Sequence, residues 1–184
     1  AMQSIPNVDR GLQAGDTVKC GELSLEVMDT PGHTMSHICL YSPGADSEQP
    51  ALFCGDTLFN AGIGRCDLGG APEIMYETFV KQFYPLADEV RIFPGHDYIE
   101  NNLQFTLDRE PDNQSAQSLC AQFKAGLSAE SYVSTISMER EINVFFRLDQ
   151  MQVRSGIAAS LDTDIEALDD QSTFVGLRRM RDKW

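Results

Sequence analysis

Val90-Arg91-Ile92-Phe93-Pro94-Gly95-His96 is a short apolar run that ends in a glycine and a metal-type side chain. The same order occurs at Ala51-Leu52-Phe53-Cys54-Gly55-Asp56, and again where residues 23–28 run into Thr30-Pro31-Gly32-His33. Leu23, Leu25 and Val27 alternate with Ser24 and Glu26, the period of a half-buried strand. Glycine lets the backbone turn sharply where a strand ends, so the next side chain projects beyond the sheet. In α/β sheets ligands collect outside the carboxyl ends of strands. Imidazole and carboxylate suit zinc, iron or manganese. Any one of these residues alone reads better as a hydrogen-bonded histidine or a turn aspartate. The threefold repeat favours a metal site at His33, Asp56 and His96. His37, the remaining histidine, opens a strand over residues 37–41 and reads as a supporting or structural residue.

Outward from these runs, the first half of the chain reads as strands and the second as helices. Residues 42–50 are polar, with Gly and Pro, and predict a surface loop. Residues 73–83 carry Ile74, Met75, Phe79, Val80 and Phe83 at helical spacing, stopped by Pro85. Beyond Tyr98, helices are expected over 101–108 and 113–123, the second opened by Asn113 as N-cap. A short helix running into a Phe-rich irregular segment is expected over 134–147. The last helix is expected over 172–184, with Phe174, Leu177, Arg178 and Arg181 on one face.

Fourteen Lys+Arg against 28 Asp+Glu give a net charge of −14, which argues against nucleic acid or an anionic membrane as partner. No apolar stretch approaches the ~20 residues of a membrane span. Five widely spaced cysteines without Cys-x-x-Cys exclude a disulfide framework or a cysteine zinc knuckle, and point to the cytoplasm. Four of the 14 cations fall in the last seven residues. That cluster is either an anion site or the usual preference of cations for a helix C-terminus.

Thr-Pro-Gly-His-Thr-Met-Ser-His (30–37), Gly-Asp-Thr-Leu-Phe (55–59), Gly-Ile-Gly-Arg (62–65) and Pro-Gly-His-Asp-Tyr (94–98) together resemble the metallo-β-lactamase superfamily. Within it they are most similar to the hydroxyacylglutathione hydrolases (glyoxalase II). The likeness continues through 101–105, 111–113, 143–147 and 178–182, so it spans nearly the whole chain in order. It implies an α/β fold, with the C-terminal half of an αββα sandwich in residues 1–98 and a helical substrate domain in residues 99–184. The family's His-x-His-x-Asp-His motif would lie upstream of residue 1, so the chain reads as a truncated and largely inactive form.

The resemblance further implies a two-ion metal centre, of zinc or else iron or manganese. His33 would hold one ion, His96 the other, and Asp56 would bridge them. Arg65 and Tyr98 match positions that contact glutathione; Arg178 and Arg181 match the two basic residues that hold its glycine carboxylate. The substrate implied is a glutathione thioester. Asp67 stands where the hydrolases carry an aromatic residue, and Arg65-Cys66-Asp67 is similar to Gly-Arg-Thr-Asp of the persulfide dioxygenases, iron enzymes of the same fold. A non-enzymatic half-domain acting in assembly is the third reading. Half a sandwich would leave an apolar sheet face and an unpaired edge, so a homodimer or a partner covering the sheet is expected.

Overall fold

The computed structural model describes residues 8–44 and 48–184. Seven strands and a short helix occupy the first part: β1 (Thr17–Cys20), β2 (Leu23–Asp29), β3 (Ile38–Ser42), β4 (Ala51–Gly55), β5 (Leu58–Phe59), β6 (Gly62–Ile63), α1 (Pro72–Thr78) and β7 (Arg91–Pro94). Five helices follow: α2 (Ile99–Arg109), α3 (Gln114–Lys124), α4 (Ile136–Ile142), α5 (Met151–Leu161) and α6 (Asp170–Arg181). Part of the expected 42–50 loop, residues 45–47, lies outside the described residues.

The main sheet runs β1-β2-β3-β4-β7. β2 pairs antiparallel with β3, β3 antiparallel with β4, and β4 parallel with β7. Hence β2, β4 and β7 point the same way, and their carboxyl ends share one edge of the sheet. That direction, more than any local feature, brings the three glycine-ended strands together.

One sheet face carries Cys39, Leu52, Cys54 and Ile92, all essentially inaccessible, and packs on Phe79, Phe83, Phe145, Phe174 and Leu177. The helices after residue 98 therefore share a core with the sheet. On the opposite face, register sets Leu40 beside Phe53 and Phe53 beside Phe93. Phe53 is 38% exposed there, stacked on Phe93 with ring centroids 5.2 Å apart.

The predicted 73–83 helix is two pieces. Pro72 starts α1 where a missing N–H costs nothing. Residues Phe79–Phe83 then widen into a π turn, with Tyr84 N–H donating to the Phe79 carbonyl. The wider turn keeps Met75, Phe79 and Phe83, spaced by four, on the buried side, and rotates Val80 out to 43% exposure. Val80 was expected on the buried face, and the π turn is why it is not. Asn113 caps α3 as expected, its side chain accepting from Ala116 N–H.

All five cysteines are free. Burial pushes the Cys39 and Cys66 thiols up to about 12, and Cys54 well above its ordinary value. Thiolate is the reactive form. Under native conditions a colorimetric disulfide reagent is thus expected to titrate exposed Cys20 rapidly, with Cys39, Cys54 and Cys66 released only on unfolding. Rapid labelling of two or more thiols in the folded chain would contradict this packing.

Candidate metal centre and substrate cleft

Asp56 follows β4 through Gly55, whose φ of +48° is left-handed. A Cβ on Gly55 would stand 2.8 Å from His37 Nε2, so glycine is needed for both shape and space. At Gly95 the requirement is proximity alone. Its Cβ would lie 2.7 Å from Asp56 Oδ1, and its N–H donates to the Gly55 carbonyl at 2.8 Å. The turns after β4 and β7 are thus pressed together, which carries His96 to Asp56.

His96 Nδ1 lies 2.7 Å from Asp56 Oδ1, and His33 Nε2 lies 3.7 Å from Asp56 Oδ2. The Asp56 carboxylate therefore stands between two imidazoles from two other strand ends. β4 and β7 are neighbours; His33 arrives from β2, two strands away from β4, on its connecting loop. His33 Nδ1 lies 2.7 Å from the Arg65 carbonyl, an obligate acceptor, so that nitrogen carries the proton. In the neutral ring this leaves the Nε2 lone pair facing the Asp56 carboxylate, an arrangement that suits a cation between them. This is the usual arrangement of a histidine oriented for a metal by its other nitrogen.

Imidazole and carboxylate are donors of the kind that suits a divalent metal. Among the described residues no group of three His, Cys, Asp or Glu closes around an ion.

His33, Asp56, Arg65, His96, Tyr98, Arg178 and Arg181 all line one open cleft of about 490 Å³. Tyr98 is half exposed, stacked on the His96 ring at 5.6 Å and edge-on to Phe59 at 5.1 Å. Arg65 is exposed and pairs through Nε and Nη2 with Asp67, the residue that departs from the family pattern. The pairing holds the Asp67 carboxyl below its ordinary range. Arg181 reaches Asn102 Oδ1 at 3.4 Å, with its guanidinium over Phe105 and Trp184.

Arg178 is different: it is 4% exposed. It donates to the Ile63 and Gly64 carbonyls at 2.9 and 3.1 Å and to Asp182 at 2.9 Å. Burial pulls its pKa down. Helical spacing shows which face Arg178 shares, but not that a hairpin edge would claim its donors.

Six cleft residues, Phe59, Ile63, Leu68, Asn101, Asn102 and Asp182, received no role from the sequence. Phe59 and Asn102 lie inside quoted motifs; Asn102 donates to the Asn60 carbonyl at 2.9 Å and ties α2 to the β5–β6 hairpin. Asp182 was detectable as the i+4 partner of Arg178.

Comparison with known proteins gives a consistent pattern. The profile of the metallo-β-lactamase superfamily matches residues 2–96, and that of the hydroxyacylglutathione hydrolase C-terminus matches residues 97–184. The hydroxyacylglutathione hydrolase of Nitrosococcus oceani is 50% identical over 185 residues, covering 100% of this chain and 69% of that protein. That of a Polaromonas species is 47% identical over 181 residues, covering 98% and 68%. Among solved structures, a metallo-β-lactamase from Staphylococcus aureus superposes with a TM-score of 0.52 at 26% identity, covering 79% of this chain and 37% of that one. The ETHE1 protein of Myxococcus xanthus gives 0.51 at 23% identity, covering 90% and 60%, a likeness of fold.

Proposed function

The chain belongs to the hydroxyacylglutathione hydrolases of the metallo-β-lactamase superfamily, and from that premise we propose that its cleft binds a glutathione thioester beside a zinc centre to which His33, Asp56 and His96 contribute ligands. Membership implies a metal-dependent hydrolase. Zinc in a two-ion centre, with iron or manganese as alternatives, is the proposed identity, because imidazole and carboxylate donors suit all three. The observation that carries the reading is that seven residues from five separate segments converge on one cleft.

When bound, such a metal supplies an activated water and an electrophile for the thioester carbonyl. This chain's residues do the rest. His33, its Nδ1 proton held by the Arg65 carbonyl, presents Nε2 to the centre. Arg65 and Arg181, the guanidinium groups with donors toward solvent and cleft, are proposed to take the tripeptide carboxylates. The Tyr98 ring, braced by Phe59 and His96, forms the floor on which the thioester lies. Buried Arg178 holds the Ile63–Gly64 edge to α6, and so keeps that wall in place.

Residues 1–98 and 99–184 are proposed as the catalytic and substrate units. A second copy of the chain is proposed to cover the Phe53–Phe93 sheet face, and five free thiols support a cytoplasmic setting. No helix among the described residues is long and apolar enough to cross a membrane. Identity to the hydrolases along the whole chain favours that reading over a dioxygenase.

The test is ligand binding, which needs no turnover. Titrating S-methylglutathione into ¹⁵N-labelled protein is expected to shift amides around Arg65, Tyr98 and Arg181. Arg181→Ala should weaken binding about tenfold, the scale of one charge-assisted contact, ~1.4 kcal/mol. Arg179→Ala, whose side chain pairs with Glu73 off the cleft, should leave it unchanged. Shifts elsewhere, or equal loss in both variants, would refute the assignment of the cleft.

A further inference from the structure

We propose that His37 is the residue that positions Asp56, setting its carboxylate between His33 and His96; the proposal rests on the reading of Asp56 as a metal ligand. The Asp56 backbone N–H points at His37 Nε2, 3.3 Å away. A backbone N–H only donates, so Nε2 accepts, and a ring that accepts there carries its proton on Nδ1. Nδ1 lies 2.8 Å from Thr57 Oγ1 and 3.1 Å from Thr30 Oγ1, both able to receive that proton.

The hydroxyls in turn have places for their own protons. Thr57 donates to the Thr30 carbonyl at 3.4 Å, and Thr30 to Cys39 Sγ at 3.2 Å. Thr30, Thr57 and Cys39 are inaccessible to solvent, so this chain of bonds has few competitors. Thr30 Oγ1 also lies 3.4 Å from the His37 carbonyl, so its proton has two acceptors; the Nε2 acceptor role is what selects the Nδ1–H tautomer of the ring.

The ring also fills space. It occupies the volume into which a Gly55 Cβ would project, and so presses on the left-handed turn that aims Asp56. Asp56 is held from behind by His37 through its N–H, while Gly95, having no Cβ, leaves room beside the carboxylate. Its two oxygens are left facing His33 and His96. His37 does not itself line the cleft; it reaches the cleft residues from behind, bonded to the Asp56 N–H and edge-on to the His33 ring at 6.0 Å.

Zn²⁺ titration of the purified chain, followed by NMR of the His33 and His96 ring signals, gives the affinity even when binding is weak. His37→Phe keeps the ring volume and loses the acceptor; it is expected to weaken Zn²⁺ binding about 10–100-fold, the usual effect of removing an outer-shell partner. His37→Gln, whose side-chain oxygen can stand where Nε2 accepts, is expected to recover most of that loss, which a role in packing alone would not allow. Thr57→Val, retaining the ring, should weaken binding several-fold and alter the His37 ¹⁵N tautomer signature in metal-free protein. Unchanged affinity in His37→Phe beside a clear loss in Asp56→Asn would overturn the positioning role and leave Asp56 a ligand. Unchanged affinity in Asp56→Asn would overturn the ligand reading, and the proposal with it.

Discussion

Purified by itself, the 184-residue chain is expected to hydrolyse S-lactoylglutathione at no more than a trace rate. Catalytic zinc is normally held by three protein ligands, with one position open for water. His33, Asp56 and His96 are the three proposed donors, and in the proposed centre they are divided between two ions. Each ion would then have two protein ligands, Asp56 being counted for both. A weakly held ion leaves no reliably activated water, and loss of transition-state stabilisation of this kind costs ~10³-fold or more in turnover. The loss should appear in kcat, because Arg65, Tyr98 and Arg181, the proposed substrate contacts, are all present in this chain.

The match covers 69% of the Nitrosococcus oceani hydrolase. Joining this chain to the portion of that relative outside the match is expected to raise metal affinity and turnover together. Efficient, chelator-sensitive hydrolysis by the 184 residues alone would show that the described donors suffice. A joined protein that binds metal yet ignores glutathione thioesters would instead return the dioxygenase to contention.

The strand-glycine-ligand repeat was legible because it depends on local chemistry: a glycine must follow a strand whose end is crowded, whatever the rest of the fold. Gly55 needs its left-handed φ, and Gly95 needs the absence of a Cβ beside Asp56, yet both read as the same letter. Elements held by partners elsewhere were not legible. The β5–β6 hairpin has two residues in each strand, too few for any period to show. Its carbonyls are held by Arg178, Asn143 and Asn102, which lie 42 to 115 residues away in sequence. Helix α5 went unrecognised for a related reason. Gly156, Ala158 and Ala159 weaken its apolar stripe, while it packs against α6 closely enough that a Cβ on Gly176 would lie 2.7 Å from Ile157. The π turn at Phe79–Phe83 answers to Phe146 and Phe174, aromatic partners more than sixty residues downstream.

The most buried acid among the described residues leads to a second large effect. Glu139 is inaccessible to solvent, and burial raises its pKa from 4.5 to about 7. Its oxygens accept from Ala61 N–H and Asn143 Nδ2, both at 2.9 Å, and lie 2.7 Å from Ser134 Oγ. Ser134 has one hydroxyl proton and also stands 2.8 Å from Asn60 Oδ1. A protonated Glu139 can donate to Ser134 while Ser134 donates to Asn60, so the neutral acid satisfies the whole cluster. Between pH 4.5 and about 7 the folded chain holds this proton and the unfolded chain does not. Stability therefore falls as pH rises through that window, and levels off above it. A shift of this size corresponds to about 3 kcal/mol. Glu139→Gln keeps the acceptor for Ala61 and Asn143, and cannot ionise. Denaturant unfolding from pH 5 to pH 8 should show the variant gaining on the parent by about that amount, because the other carboxylates titrate alike in both. Parallel curves would mean that Glu139 is ionised throughout. The effect reaches the cleft because Glu139 holds Ala61, at a left-handed φ of +56°, in the hairpin whose Phe59 and Ile63 line the cleft wall. Glu139→Ala, which orphans the Ala61 N–H, should cost about 1–3 kcal/mol at every pH and loosen that wall, raising the Kd for S-methylglutathione as well.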